Sequence, residues 1–285
     1  MHGTGLVKTD FANGPVLDRM KGVKMHKLVP APPVVCAVLA CTLTLPQMAS
    51  AEGKSLTGVI GLGASYGPEF PGSDESSSSA FPIFNLTWRD RVFLNQRGLG
   101  VYALRNYGAG DLSLGFAVGY DFDERLAEDD VRLTGLRDVE AGALFTAFIE
   151  YDLGIADLEF DISHGLSDGG HEGTRATLAA EFSTAVSPRL SLSAKPFVTW
   201  ADSSYNQAFY GVSAAEAGAS SFTRYEAGSG LERAGIQLQA SYTLSERTGV
   251  FLGVSHAELM GDAKDSPIVF DSGQTQISSG IFFRF

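Results

Sequence analysis

Cysteine is almost missing from this chain: there are two, Cys36 and Cys41, both near the amino terminus. Everything after them is free of thiols, which excludes a disulfide framework, a cysteine nucleophile and a thiolate metal site there. Long apolar runs are missing too. Past residue 52 no stretch approaches the roughly 18 uninterrupted apolar residues of a membrane helix. Positive charge is scarce: 21 Lys and Arg stand against 33 Asp and Glu, for a formal charge of -12. That balance disfavours nucleic acid and anionic lipid as partners of the bulk surface.

What is present begins with an export signal. Lys21, Lys24 and Lys27 precede an apolar stretch over residues 34–45, and Ala49-Ser50-Ala51 follows it. A basic region, a short apolar core and a small-residue cut site describe a secretory signal peptide. A stretch this short does not span a bilayer as a helix. Cleavage is expected after Ala51, so residues 1–51 are extension and signal and residues 52–285 form one domain. Met25 is an alternative start, and Val38-Leu39-Ala40-Cys41 is a loose match to a lipid-attachment site.

The remainder alternates with period two, the signature of strands with one greasy and one wet face. In residues 274–285, Ile277, Ile281, Phe283 and Phe285 oppose Gln274, Gln276, Ser278, Gly280 and Arg284. Residues 190–201 and 235–244 repeat the pattern, as do residues 175–186 and 155–163. These segments match the roughly 9–11 residues of a tilted membrane strand. A strand ending on an aromatic needs its edge paired, which closing a barrel supplies. A soluble sandwich or lipocalin-type barrel shares the period but turns its greasy face inward. Strand length, the export signal and aromatics at strand ends (Tyr66, Trp88, Tyr151, Trp200, Tyr242) favour the membrane. The fold expected is therefore all-β, a transmembrane antiparallel up-and-down barrel in the outer membrane of a Gram-negative cell.

Loop lengths set the strand count, because such barrels have short periplasmic turns and long external loops. Short connections fall at residues 89–91, 106–110, 152–154, 187–189 and 245–247, and long ones at 67–79, 122–137, 167–173, 202–233 and 260–273. The alternation works if residues 92–105 make two passes, breaking near Arg97-Gly98, which gives twelve strands. Because those passes are short, ten strands is the alternative.

Inside the barrel, Glu140, Glu150, Asp157, Glu159 and Asp161 are expected to face inward with Arg175, Lys195 and Arg284. Unpaired charge in a narrow lumen is costly, which favours a salt-bridged plug over a cation-selective pore. The serine run at residues 76–79 reads as a loop tip. The long loop holds Tyr205, Asn206, Gln207, Phe209 and Tyr210, too aromatic for a linker, and residues 214–219 suit one helical turn, so it is expected to fold over the mouth. Ser163-His164 and Ser255-His256 cannot act as nucleophile and base, since neighbours on a strand face opposite ways. Asp168, His171 and Glu172 are too few for a metal cage. The acidic loop with Asp121, Asp123, Glu124, Glu128, Asp129 and Asp130 could bridge to lipopolysaccharide through divalent ions. No catalytic, cofactor or resident metal site is expected.

Four segments carry a resemblance. Tyr66-Gly67-Pro68-Glu69-Phe70-Pro71-Gly72-Ser73-Asp74-Glu75 follows a glycine-rich first strand and resembles the opening motif of the MipA/OmpV family of outer-membrane proteins. Arg97-Gly98-Leu99-Gly100-Val101 is similar to the family's mid-barrel glycine segment, and Leu136-Arg137-Asp138-Val139-Glu140 to its stretch re-entering the membrane. Tyr205-Asn206-Gln207-Ala208-Phe209-Tyr210-Gly211-Val212-Ser213, continued by residues 214–217, resembles its long-loop signature. The resemblance implies a non-enzymatic scaffold that joins a lytic transglycosylase to a bifunctional penicillin-binding protein. Its alternatives are a small-solute channel and a surface adhesin, and it supplies no catalytic residues.

Overall fold

The computed structural model describes residues 56–108 and 111–285. The export signal and its cut after Ala51 lie outside the described residues.

Twelve antiparallel strands follow one another around a closed barrel. They are β1 (Leu56–Pro68), β2 (Ser76–Trp88), β3 (Val92–Asn95), β4 (Gly98–Tyr107), β5 (Leu112–Asp121) and β6 (Gly142–Asp152), then β7 (Asp157–Gly165), β8 (Thr174–Ala185), β9 (Leu190–Ala201), β10 (Gly230–Thr243), β11 (Thr248–Leu259) and β12 (Gly273–Arg284). The last strand closes on the first from Val59↔Arg284 to Tyr66↔Ile277. Closure leaves the seam without a free edge, which a sheet in lipid requires.

Alternation decides the environment. Ile60 pairs with Phe283 and Leu62 with Ile281, and all four side chains are exposed, Leu62 at 68%. Leu178, Trp200, Leu238 and Leu252 continue the outward apolar belt around the wall. A soluble barrel would bury these side chains, so the belt faces lipid and the fold is that of an outer-membrane barrel. Exposed Tyr66, Tyr120 and Trp200 mark one rim, and Trp88, Tyr107, Tyr151 and Tyr242 the other. The second rim carries the short turns, which makes it periplasmic. Its first turn, the three residues 89–91 between paired Trp88 and Val92, places Arg89 and Asp90 at φ 51° and 53°, the left-handed conformation that suits the twist of a tight hairpin.

Several expectations are corrected. Ser76–Ser79 are not a loop tip: they pair with Pro68, Gly67, Tyr66 and Ser65 and begin β2. The segment of residues 136–140 does not re-enter the membrane. An antiparallel bridge between Arg125 and Val139 folds it back over the mouth, and β6 starts only at Gly142. Glu140 is therefore exposed on the external loops rather than inside the lumen. The break expected near Arg97-Gly98 is a two-residue turn, Gln96-Arg97, between paired Asn95 and Gly98.

Candidate functional site

The lumen encloses a cavity of ≈ 1040 Å³, and its principal polar feature is a cation that sequence reading placed in a turn. Arg97 sits at the tip of the β3–β4 hairpin, with its backbone N–H held by Asn95 Oδ1 at 2.9 Å. Gly98 follows at φ +106°, packed so closely on β5 that a Cβ would meet the Val118 carbonyl oxygen at 2.1 Å. The hairpin thus aims Arg97 across the barrel. Its guanidinium donates to Glu150 at 2.7 Å and to Asp161 at 2.9 Å, and reaches Glu159 at 3.4 Å. Its planar face lies 4.5 Å from the centre of the Phe148 ring, which packs with Phe93 and Tyr102. Lys195 completes the cluster, 2.7 Å from Glu159 and 4.0 Å from Glu181. A planar fork suits this place because one group satisfies three carboxylates at once.

Apart from Arg284, the rest of the cavity wall is neutral. Ser191, Ser193, Gln237, Gln239, Ser241, Gln276 and Ser278 face it, and Phe81, Ile83, Phe251 and Phe282 supply an apolar side.

Above the lumen the external loops form a packed cap. Asp202 caps the helix α1 (Ser203–Tyr210) by accepting from Tyr205 N, and Ser213 with Glu216 forms a capping box at α2 (Ala214–Ala219). A third short helix, α3 (Gly261–Lys264), lies against β10 and α1. Val139, Tyr205, Ala208, Phe209, Tyr210 and Leu259 make one buried cluster, and Phe70, Leu133, Leu136, Val212 and Ile268 a second. Beneath them Glu232 is fully buried. It meets Arg175 at 3.3 Å and Arg233 at 3.7 Å and accepts from the Tyr210 hydroxyl at 3.0 Å. Burial pushes the phenols of Tyr205 and Tyr210 well above their ordinary range, so both stay protonated.

Two further arginines tie the cap. Arg132 bridges Asp74 and Asp130, each at 2.5 Å, and rests 3.6 Å over the Phe270 ring. Hydrogen bonding to Arg132 holds both carboxyls below the usual carboxylate range. Arg125 is 1% exposed and donates to the Ala208 carbonyl at 3.2 Å, while its Nε and Nη1 have no hydrogen-bond partner among the described residues. Burial pushes its pKa down to about 10.

Of the inward charges expected, Glu150, Glu159, Asp161 and Lys195 come together, whereas Arg175 joins Glu232 and Asp123 beneath the cap. Asp157 is exposed near the periplasmic rim. Arg284 lines the periplasmic end of the cavity. Tyr205, Asn206, Phe209 and Tyr210 are buried cap core, and Gln207 binds the Ala227 backbone through Oε1. Asp168, His171 and Glu172 border one external pocket, but His171 is buried on Tyr205 and paired with Asp121 at 3.3 Å, whereas Asp168 and Glu172 are exposed. Asp123 and Asp130 pair with arginines and Asp121 with the His171 ring, so they are less available to bridge divalent ions. Ser163 and Ser255 lie on the inward face, while His164 and His256 point outward onto Thr174 and Thr275.

Sequence reading missed Arg97 and Glu232. Glu232 had a signal, since Glu232-Arg233 breaks the alternation where a bulge shifts the β9–β10 register.

Solved structures similar to this chain are outer-membrane barrels. The channel DcaP of Acinetobacter baumannii is 9% identical over 84% of this chain and 100% of its own, with a TM-score of 0.37. An outer-membrane channel from Pseudomonas putida F1 is 14% identical over 85% and 100%, at 0.38. OmpT of Vibrio cholerae is 9% identical over 83% and 100%, at 0.33. No curated protein sequence matches the chain. Residues 60–285, nearly the whole barrel, match the family described as MltA-interacting protein MipA. This chain, a closed twelve-strand outer-membrane barrel with a capped mouth, therefore belongs to the MipA family.

Proposed function

We infer that the protein is a non-conducting outer-membrane scaffold that holds murein-remodelling enzymes, a lytic transglycosylase together with a penicillin-binding protein, at the inner surface of the membrane. The observation that carries this reading is the double obstruction of the axial path. A packed cap of loops covers the external mouth, and the Arg97 cluster projects into the lumen below it. Neither belongs in an aqueous through-route, and the family's own description is of a protein that interacts with another protein.

The partner surface is the periplasmic rim. Its turns carry Arg89, Arg91, Arg189 and Arg247 in an otherwise acidic chain, and Arg89 stacks on exposed Trp88 at 4.9 Å. Exposed cation and aromatic pairs of this kind are common anchors at protein interfaces.

A pull-down of the full protein from detergent extracts, read by mass spectrometry, tests the reading alongside planar-bilayer recording of the same preparation. Retention of a murein lytic enzyme without conductance steps is expected. Stable conductance with no murein enzyme retained would overturn it in favour of a small-solute channel.

A further inference from the structure

The barrel wall has a window. β2 pairs with β3 only through Leu86, Thr87 and Trp88, so the ten residues Ser76 to Asn85 have no strand partner on that side. β3 and β4 turn back at Gln96-Arg97, and above this turn β2 and β5 do not pair. At the level of the turn, Leu86 and Val118 are separated by three strand spacings, about 14 Å at roughly 4.8 Å each. The Arg132 clasp to Asp74 and Asp130 closes the top of the opening. Pro82 lies in the middle of the free stretch, where a residue without an N–H is tolerated only at an edge.

Two observations give the window a direction. Its outer frame belongs to the lipid-facing belt: Leu94, Leu99, Val118 and Tyr120 are all exposed. Its inner side is the lumen, because the ≈ 1040 Å³ cavity is bordered both by Phe81, Ile83, Phe84 and Asn85 of the free edge and by Asn95, Gln96 and Arg97 of the hairpin tip. An unpaired strand edge facing hydrocarbon is costly. An edge wetted from the lumen is not.

We propose that this window is a lateral portal through which an amphiphile with an apolar tail and a neutral, hydroxyl-rich head passes between the outer leaflet and the lumen. The chamber suits that chemistry on both sides. Phe81, Ile83, Phe251 and Phe282 accept the tail, and the Ser and Gln wall, including Ser193, Gln237, Gln239 and Gln276, offers donors and acceptors to hydroxyls without charge. The four carboxylates Glu150, Glu159, Asp161 and Glu181 outnumber the three cations Arg97, Lys195 and Arg284 of the same wall, so the lining offers an anionic head no net attraction. The cap shuts the axial route from outside, leaving the wall as the way in from that side. The portal is independent of the scaffold reading and needs no partner protein.

The test uses the full protein in lipid nanodiscs with an alkyl glucoside carrying a photoreactive diazirine in its tail. Crosslinked positions are mapped by mass spectrometry. Adducts are expected on inward Phe251 and Phe282 as well as on outward Leu62 and Ile281. Ser77→Trp, and separately Ser79→Trp, narrows the window. Each is expected to lower lumen adducts at least tenfold while leaving outward adducts unchanged, with native folding checked by heat-modifiable gel mobility. Adducts confined to the outward face of the native protein would overturn the proposal. So would lumen adducts that persist in both correctly folded variants, since entry would then be periplasmic.

Discussion

Arg97→Met is the sharpest perturbation of this barrel. The substitution keeps most of the side chain's length and its contact with Phe148 but removes a charge that three carboxylates share at 2.7, 2.9 and 3.4 Å. Glu150, Glu159 and Asp161 then face one another with Lys195 as the only neighbouring cation of the cluster. Removing one partner of a buried ion pair typically costs about 3–5 kcal/mol. The carboxylates here keep 19–31% of their exposure and line a cavity. Screening by lumen water therefore lowers the expected loss to about 2–3 kcal/mol. Urea unfolding in liposomes, followed by the heat-modifiable gel shift, measures it. Arg97→Lys should recover only part of the loss, because an ammonium cannot fork between Glu150 and Asp161. Adding Glu150→Gln and Asp161→Asn to Arg97→Met should restore most of it, because the repulsion disappears. Native-like stability of Arg97→Met, or no gain in the triple variant, would refute the reasoning.

Other consequences concern the cap. Glu232→Gln leaves Arg175 and Arg233 sharing Asp123, at 3.4 and 3.9 Å, as their remaining counter-charge, and should cost about 2–3 kcal/mol, seen as protease cleavage within residues 203–229 of the folded protein. Arg125→Met should be neutral or stabilising by about 1 kcal/mol, measured by the same unfolding assay, because the native guanidinium is buried with one hydrogen bond. The Arg132 clasp has a defined pH response. Asp74 and Asp130 have lowered folded pKa values, so their contribution is present above the unfolded carboxylate pKa of about 3.9 and is lost as pH falls through the lower folded values. Spin labels at Glu75→Cys and Thr134→Cys should keep one distance from pH 8 to pH 5 and separate only below about pH 4; separation already at pH 6 would contradict this.

The wall was legible because lipid outside and polar groups inside impose opposite chemistry on alternate residues. Residues 236–244 and 190–200 therefore revealed their faces by composition. The inner face was less legible where it is apolar: Phe93, Phe148, Phe251 and Phe282 point inward and read from sequence like lipid-facing residues. The cap was legible as aromatic content but not as architecture. Nothing local in residues 136–140 distinguishes a strand from a segment pinned over the mouth, because the cause is a non-local bridge between Arg125 and Val139. Arg97 was hidden for a related reason. Beside two glycines it looks like an exposed turn, and only the closed barrel brings Glu150 and Asp161 around to meet it.

The ambiguity between ten and twelve strands has a physical origin in that same hairpin. β3 has four residues, and β4 descends from the turn at once, its Gly98 and Gly100 pressed against Val118 and Phe93 where no larger residue fits. A cross-section near the periplasmic rim cuts twelve strands, whereas one above Arg97 cuts only the ten that continue to the external loops. A hairpin that ends at mid-membrane needs its polar tip satisfied inside the barrel, and this is the work the three carboxylates perform. It also leaves the edge of β2 unpaired above the tip. The ion cluster and the window in the wall are thus two consequences of one short strand. A change that lengthens β3, or deletes the hairpin so that β2 pairs with β5, should remove both together.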